Sequence, residues 1–418
     1  MTYLHALQYL DGQGMEDPPE NTGKPPRRYD QGAYTTYRST LCATEPRFLY
    51  LLFAADHQGF LCAAYCRSAL MAAGICVGEI GDRSSGELSE VLRINGAPVS
   101  PAVLRELCHT ARATEQRILR SAAKAAALQE SNDTPTHSAI FPFDGAQRCA
   151  AVLPRLFADA GCRVILLIGK VTDPRLRSLA STAPACEVAV LSASEHKPLQ
   201  KFPAQIGEVI CPTCSSTVFR RVTDACARAG SRLTLTATSH LKREPPSPFS
   251  QTFSYRTLSS CTLRCGTTHA LRTAMLAMEA LRSLERLGCA VSPQAMRQGF
   301  GSVSLPLLFS PLSIRPLLIA HAIHDEDDID TLQQTLEEFD HALPHPRMLL
   351  CDESLSDAEC DRLAALGTPI SLRESALPDA LIPRDITDGA PTPTYILLGK
   401  QHALERRIAL WEQKLRPL

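Results

Sequence analysis

The residues with the clearest potential for chemistry form a short polar loop, Asp56-His57-Gln58-Gly59, between an apolar run and a helix of small residues. Strand, loop and helix in this order are typical of a phosphate-binding unit, in which backbone amides at the helix start hold the anion. Such a loop also uses a lysine ammonium group, and the stretch 48–81 contains no lysine. We therefore expect these four residues to form a weak anion site at most.

Two cysteine pairs suggest a second kind of chemistry. Cys211 and Cys214 have the spacing C-x-x-C, and Cys261 and Cys265 follow them along the chain. Four thiolates can hold a zinc ion, so a zinc site is one interpretation of these pairs. Because the chain has sixteen cysteines, close pairs also arise by chance, and ordinary buried thiols are the other interpretation.

The order of apolar and polar stretches predicts the elements that position these residues. "FLYLLFA" predicts a buried strand before the loop, and helical stretches alternate with later strands. Further strands are predicted at 162–169, 187–193, 207–212 and 231–238. This alternation is typical of a parallel sheet covered by helices on both faces. Because the chain has 418 residues, we expect two domains, residues 1–303 and residues 304–418.

Composition excludes some partners. The chain has 43 Lys and Arg against 44 Asp and Glu, so its charge provides no attraction to nucleic acid or a membrane surface. No apolar run approaches the ~18–20 residues that span a bilayer. The opening "MTYLHALQYLDG" does not have the pattern of a secretion signal, so we expect a cytoplasmic protein with reduced thiols.

One segment carries a family resemblance. Arg93-Ile94-Asn95-Gly96-Ala97-Pro98-Val99-Ser100 is similar to the R-I-N-G-x-P-I-S segment of folylpolyglutamate synthases, which are members of the Mur ligase family, and it follows the strand, loop and helix at the expected distance. The resemblance implies a Mur ligase-like α/β fold. Its larger N-terminal domain would have a P-loop-type, mostly parallel sheet, and its smaller C-terminal domain would be Rossmann-like. Arg93 and Asn95 would be remnants of the substrate loop.

The same resemblance implies an activity and shows where this chain departs from it. Enzymes of this family use ATP and Mg²⁺ to phosphorylate a carboxylate, which an amino group then attacks to form an amide. Their T-N-G-K-G-S loop aligns with residues 56–61, so Gly59 takes the place of the lysine. Phe60 takes the place of a glycine, and Leu61 that of the hydroxyl that binds the metal. Loss of one preorganised contact can raise the activation free energy by ~3 kcal/mol.

Other family positions also carry different residue types. The family's metal-binding glutamate aligns with Leu167, and its carbamylated lysine falls near Ile206. His196, with Glu195 beside it, is the remaining candidate metal ligand, and one histidine does not hold magnesium. The family's substrate loop falls on residues 81–85, and its nucleotide-contacting motif falls on Arg264 to Thr267 with Ala270. Its motif in the second domain falls on Ala320 to His324.

These departures predict a folylpolyglutamate synthase-like protein without ligase activity, which needs no cofactor and binds a small molecule or a protein partner such as an intact synthase. The alternative is an active ATP- and Mg²⁺-dependent ligase that adds glutamate to a folate-like substrate. A third possibility is an enzyme that uses cysteine chemistry near His57 or His196. Phe60 and Leu61 would either form an exposed apolar interface or belong to the core.

Overall fold

The computed structural model describes most of the chain. The described residues are 1–11, 31–42, 47–54, 56–81, 92–130, 143–169, 186–191, 206–303, 307, 309–314, 317–323, 326–372 and 393–415. Contacts within the chain define two compact units, residues 1–236 with 279–291 and residues 237–278 with 292–418. The boundary predicted after residue 303 lies within the second unit, and as a statement about domains it stays a prediction.

An eight-stranded sheet forms the centre of the first unit. Its strands are β1 (Leu49–Phe53), β2 (Val77–Ile80), β3 (Leu92–Ile94), β4 (Ala97–Pro98), β5 (Val164–Ile168), β6 (Cys186–Val190), β7 (Ile206–Cys211) and β8 (Arg232–Leu235). Their order across the sheet is β4-β3-β2-β5-β1-β6-β7-β8. All pairs from β2 to β8 in this order are parallel, whereas β3 and β4 join one edge antiparallel.

Apolar runs form the central strands of the first unit, and helices lie along the sheet. All five residues of β5 and four of the five residues of β1 are buried, as expected for strands covered on both faces. The helices of this unit are α1 (Tyr3–Asp11), α2 (Gln31–Leu41), α3 (His57–Ala72), α4 (Pro101–Glu130), α5 (Gly145–Asp159) and α6 (Ser216–Ala229). α3 contacts β1 and β5, and it begins at His57, shortly after β1 ends at Phe53.

A buried polar network fastens the helices of the first unit to one another. The Tyr9 hydroxyl donates a 2.6 Å hydrogen bond to Glu115 on α4 and shares another with the Tyr37 hydroxyl on α2. Arg148 on α5 donates to both carboxylate oxygens of Glu115, at 3.0 and 3.1 Å. Arg148 and Glu115 are almost fully buried, so each needs the other to compensate its desolvation.

The second unit contains two sheets. Its strands are β9 (Leu241–Arg243), β10 (Gln251–Tyr255), β11 (Leu258–Leu263), β12 (Ser310–Ile314), β13 (Leu317–Ala322), β14 (Arg347–Asp352), β15 (Thr368–Leu372) and β16 (Thr394–Gly399). β9, β10 and β11 form an antiparallel sheet, and the other five form a sheet of order β12-β13-β16-β14-β15. In the larger sheet only β12 is antiparallel to its neighbour.

Helices pack on the five-stranded sheet through two separate apolar clusters. The remaining helices are α7 (Thr268–Arg286), α8 (Pro293–Ser302), α9 (Glu326–Glu338), α10 (Asp357–Leu363) and α11 (Gln401–Leu415). Leu332 and Leu336 of α9 belong to one cluster, and Leu404 and Trp411 of α11 belong to the other. α7 begins in the second unit, and its last residues belong to the first.

The mixed α/β fold with a large, mostly parallel sheet confirms the predicted fold class. β5, β6, β7 and β8 lie where the sequence predicts strands, within a residue or two at most ends. The antiparallel sheet of β9 to β11 was not among the predicted elements. Within the part of the chain that the structure describes, no helix combines the length and apolar character needed to cross a membrane.

Candidate functional site

The loop before α3 occupies the position at which parallel α/β sheets bind ligands. β1 lies between β5 and β6, and the chain leaves its carboxyl end to enter α3 at His57. Ligands of open α/β sheets lie at the carboxyl ends of such strands, where neighbouring connections run in opposite directions. The structure therefore confirms the predicted strand before the loop and the predicted helix after it, whereas anion binding by the loop stays a prediction.

The amide groups at the start of α3 are bound by the chain itself. Asp56 is the N-cap residue, with extended backbone angles, and its Oδ1 accepts a 2.8 Å hydrogen bond from the Gly59 amide. The Asp56 carbonyl oxygen accepts another from the Phe60 amide at 3.0 Å. A carboxylate thus stands at the positive end of the helix, where a phosphate would bind.

Gly59 is packed so closely that no side chain fits. A Cβ atom built on Gly59 would lie 2.0 Å from the carbonyl oxygen of Ala54, a backbone atom that cannot rotate away. The family's lysine, which the resemblance places here, is therefore sterically incompatible with this loop backbone. His57 and Gln58 complete the first turn of α3 and are half-buried.

The two apolar residues after Gly59 differ in exposure. The sequence left open whether they form an exposed interface or belong to the core, and each residue fits one of these interpretations. Phe60 is 41 % exposed, whereas Leu61 is only 4 % exposed and belongs to the core. Nearby, burial raises the pKa of the Cys62 thiol well above its ordinary value, and the neighbouring Cys66 and Asp56 raise it further. Cys62 is thus a neutral thiol and lacks the low pKa that a nucleophilic cysteine needs.

The segment that carries the family resemblance is a tight hairpin. Asn95 and Gly96, between β3 and β4, have positive φ angles of 51° and 77°, as a two-residue turn with left-handed residues requires. Asn95 Oδ1 accepts a 2.9 Å hydrogen bond from the Val77 amide, and the Asn95 amide donates to the Val77 carbonyl oxygen at 2.8 Å. Arg93 is exposed.

The hairpin turn and the loop lie at opposite edges of the sheet, where an edge means the line formed by one end of the parallel strands. Asn95 is bonded to Val77, the first residue of β2, whereas Asp56 to Gly59 follow the last residue of β1. Both strands run parallel to β5, so the amino end of β2 and the carboxyl end of β1 cannot meet. The structure therefore does not bring Asn95 together with the loop residues.

The start of α7, which the resemblance relates to nucleotide contacts, is also occupied by the chain's own groups. Thr267 Oγ1 caps the helix by accepting from the Ala270 amide at 3.1 Å, and Glu338 of α9 accepts from the Thr268 amide at 3.3 Å and the Thr268 hydroxyl at 2.9 Å. Arg243 pairs with Glu338 at 2.8 Å. Sequence reasoning missed Glu338 and Arg243, since no local signal relates residues so distant along the chain.

Gly266 adds a steric restriction at the start of α7. A Cβ atom built on Gly266 would lie 1.6 Å from the carbonyl oxygen of Ser247. The Gly266 amide donates to the Pro248 carbonyl oxygen at 3.1 Å, and its carbonyl oxygen accepts from Arg243 at 2.9 Å. The backbone before α7 is therefore enclosed by the chain itself.

The remaining candidate positions are structural or lie outside the described residues. Leu167 is buried inside β5, and Ile206 begins β7 at the sheet edge opposite the loop. Ala320 to Ile323 are buried in and after β13, with the His321 ring edge-on to Phe309. The stretch 82–85, Glu195, His196 and His324 fall outside the described residues.

The structure gives no support for a metal centre within the residues it describes. Among them, no group of three or more His, Cys, Asp or Glu side chains is arranged to hold a metal ion. Cys211 and Cys214 belong to the first unit, and Cys261 and Cys265 to the second. The loop before α3 also provides no lysine or metal-binding hydroxyl, so its residues do not fit ATP with Mg²⁺.

Comparison with solved structures gives the fold a name. The apo folylpolyglutamate synthase from Lactobacillus casei is 18 % identical, with a TM-score of 0.68 over 98 % of this chain and 100 % of that one. A folylpolyglutamate synthase complex with AMPPCP and folate gives 17 % and 0.67 over the same shares. The Mycobacterium tuberculosis enzyme with ADP and AMPPCP gives 14 % and 0.64 over 91 % of this chain and 95 % of that one.

The match extends along the whole chain but is a match of fold. No protein-family model and no curated protein matches the sequence. The chain therefore has the folylpolyglutamate synthase fold, a Mur ligase-like arrangement, as the resemblance at residues 93–100 predicted.

Proposed function

We propose that this protein is a folylpolyglutamate synthase-like protein that lacks ATP-dependent ligase activity and uses its scaffold to bind a partner. The observation that carries this proposal is a hydrogen bond at the start of α3. The amide that should face a phosphate oxygen, that of Gly59, donates instead to the Asp56 carboxylate. A phosphate would have to displace this carboxylate and also remain close to its negative charge.

The space around Gly59 supports the same proposal. A catalytic phosphoryl transfer needs a positive charge on the β and γ oxygens, which the lysine of such loops provides. Because a Cβ on Gly59 would overlap the Ala54 carbonyl oxygen, this position cannot provide a lysine without a change of backbone. Electrostatic stabilisation of the transferred group is usually the largest catalytic contribution, so its absence accounts for loss of activity.

The start of α7 provides an independent argument. Glu338 accepts from the backbone amide and the hydroxyl of Thr268, and Arg243 neutralises that carboxylate. In both places where the fold would use a helix start to contact nucleotide, a carboxylate of the chain holds the helix start instead. Such internal caps stabilise a scaffold and leave fewer donors for a ligand.

Phe60 indicates how the scaffold would serve a partner. Phe60 is 41 % exposed in the first turn of α3, at the edge of the sheet formed by the carboxyl ends of its strands, and the next residue, Leu61, is buried. An exposed aromatic side chain is a common anchor for protein association. An intact synthase is the partner proposed, and a small-molecule ligand at the same edge is the second candidate.

Nucleotide binding tests the loss of activity directly. Titration calorimetry with AMPPCP and Mg²⁺ should give no binding heat for this protein, with an intact folylpolyglutamate synthase as the positive control. ADP release should also stay at background when ATP, folate and glutamate are supplied. Binding at micromolar concentration, with ADP formed in step with a glutamate adduct, would instead establish the alternative, an active ligase.

Association with an intact synthase tests the partner. Sedimentation velocity of the two purified proteins should show a complex, and Phe60→Ser should weaken it. Phe219→Ser is the matched control, because Phe219 is 40 % exposed but lies on α6. A mixture that sediments as two separate proteins would reject the synthase as partner while leaving the loss of activity untouched.

A further inference from the structure

Two cysteines from distant parts of the chain meet at the amino edge of the eight-stranded sheet. Cys76 directly precedes β2, and Cys162 lies two residues before β5, the neighbouring strand. Their sulfur atoms are 3.5 Å apart and share a hydrogen bond, although 86 positions separate them in sequence. A disulfide needs an S–S distance of about 2.0 Å, so the two sulfurs, already in contact, would have to approach each other further to form the bond.

The two thiols differ in exposure in a way that suits stepwise oxidation. Cys76 is half-exposed and donates a weak 3.4 Å hydrogen bond to the Ala160 carbonyl oxygen, so a dissolved reagent can reach it. Cys162 is 7 % exposed, and burial raises its pKa to about 12, with the hydrogen bond to Cys76 raising it further. Cys76 is therefore the thiol that reacts first, because burial disfavours the Cys162 thiolate. Cys162 resolves the product because its sulfur lies against that of Cys76, which makes the second attack intramolecular.

Two other contacts also join a partly exposed thiol to a buried one, Cys214 with Cys211 and Cys360 with Cys351. Cys62 and Cys66 are both fully buried on α3, so a reagent cannot reach either sulfur. Cys360, which contacts Cys351, has its pKa raised by burial and by the carboxylates around it, which disfavours the thiolate. Cys76 and Cys162 differ from these local pairs because 86 positions separate them, so a disulfide between them would close a long loop and constrain the unfolded chain more.

We propose that Cys76 and Cys162 form an oxidative modification site, a dithiol that exchanges with a low-molecular-weight disulfide such as oxidised glutathione. The Cys76 thiolate attacks one glutathione sulfur and forms a mixed disulfide, while one glutathione thiolate leaves. Cys162 then loses its proton to solvent and attacks the Cys76 sulfur, which releases the second glutathione thiolate. The protein loses two hydrogen atoms, and oxidised glutathione becomes two molecules of glutathione.

The sequence provides a clean assay for this bridge. Tryptic peptides 68–83 and 156–163 contain Cys76 and Cys162 as their only cysteines, so the disulfide appears as a unique pair of joined peptides. The reduced full-length protein would be incubated with oxidised glutathione, blocked with N-ethylmaleimide and digested without reductant. We expect the joined peptides in mass spectrometry, their disappearance after dithiothreitol treatment, and a higher melting temperature for the oxidised protein.

Three variants make the assay decisive. Cys162→Ala should accumulate glutathione on Cys76 without the bridge, and Cys76→Ser should show neither product. Cys42→Ser is the matched control, because Cys42 is also half-exposed in the first unit, and it should form the bridge as the unmodified protein does. If the unmodified protein shows no joined peptides, or stops at glutathione on Cys76, the proposal is wrong.

Discussion

The hairpin at residues 93–100 and the loop residues Asp56 to Gly59 are next to the same sheet but differ in what their backbone requires. The hairpin needs two left-handed residues, which Asn and Gly provide, and its Asn side chain also bonds to β2. The loop before α3 needs a helix cap and a residue without a side chain, which Asp56 and Gly59 provide. In both segments, contacts within the chain therefore explain which residue types are present.

The difference between the two segments lies in their relation to the family pattern. The hairpin keeps the family's residue types, and its described contacts explain those types without a ligand. In the alignment that the resemblance implies, the loop carries other residue types at the positions that serve a phosphate and a metal, and this difference stays a prediction. The residue types of the hairpin follow from backbone geometry, so its resemblance indicates fold and not chemistry.

The largest expected effect follows from the packing of Gly59. Gly59→Ala should lower the free energy of unfolding by about 3 kcal/mol, because the new methyl group overlaps the Ala54 carbonyl oxygen. Urea unfolding followed by circular dichroism would measure it. Gly301→Ala in α8 is the control, since its Cβ would lie 3.4 Å from the Thr262 carbonyl oxygen, an ordinary contact, and the change should alter stability by less than about 1 kcal/mol.

The turn of the hairpin gives the next effect. Gly96→Ala should reduce stability by about 1–2 kcal/mol, because φ is 77° and an L-residue is strained there. Gly96→Asn should lose clearly less, since asparagine tolerates this conformation. Equal losses in the two variants would indicate that contact with Arg67, rather than backbone strain, controls this position.

Removal of the helix cap should have a smaller effect. Asp56→Ala should lower stability by about 1 kcal/mol, because the Gly59 amide loses its acceptor. Asp56→Ser keeps a side-chain oxygen at the cap and should recover most of this loss. Thermal unfolding of the three proteins in one buffer would test the order, and an unchanged melting temperature in Asp56→Ala would contradict the capping role.

The smallest effect concerns the other end of β1, where Glu187 accepts a 2.6 Å hydrogen bond from the Tyr50 amide. Burial raises the pKa of Glu187 above its ordinary value, by more than its backbone hydrogen bonds lower it. Its contribution to stability is therefore complete at low pH and decreases as the pH rises through the folded-state pKa. Glu187→Gln keeps the acceptor but has no charge to bury. Its melting temperature minus that of the unmodified protein should therefore increase slightly between about pH 4 and pH 7. A constant difference would contradict the raised pKa.

Much of the fold could be predicted because long apolar runs determine buried parallel strands. "VILLI" in β5 is buried throughout, and the position of the loop follows from the strand before it and the helix after it. The antiparallel sheet of β9 to β11 was missed although β10 alternates buried and half-buried residues, since its buried positions include a polar residue, Gln251. The alternation of residues along β10 was the sequence signal that could have predicted a strand there.

Less of the site could be predicted, because its decisive contacts depend on the path of the backbone. The residue types at Asp56 and Gly59 are visible in the sequence, but the closeness of Gly59 to Ala54 depends on how the loop turns. The cap on α7 depends on Glu338, which is 70 positions from Thr268. No local pattern contains such a contact, so only the folded chain reveals that both helix starts are occupied.

The close contact between Gly59 and Ala54 also limits how this chain can change. A mutation that introduced lysine at Gly59 would first disturb the loop and unfold a fraction of the molecules, before any gain in phosphate binding could appear. A lysine at this position would thus require the backbone between β1 and α3 to be rebuilt by several substitutions together, so this part of the molecule tolerates little change one residue at a time.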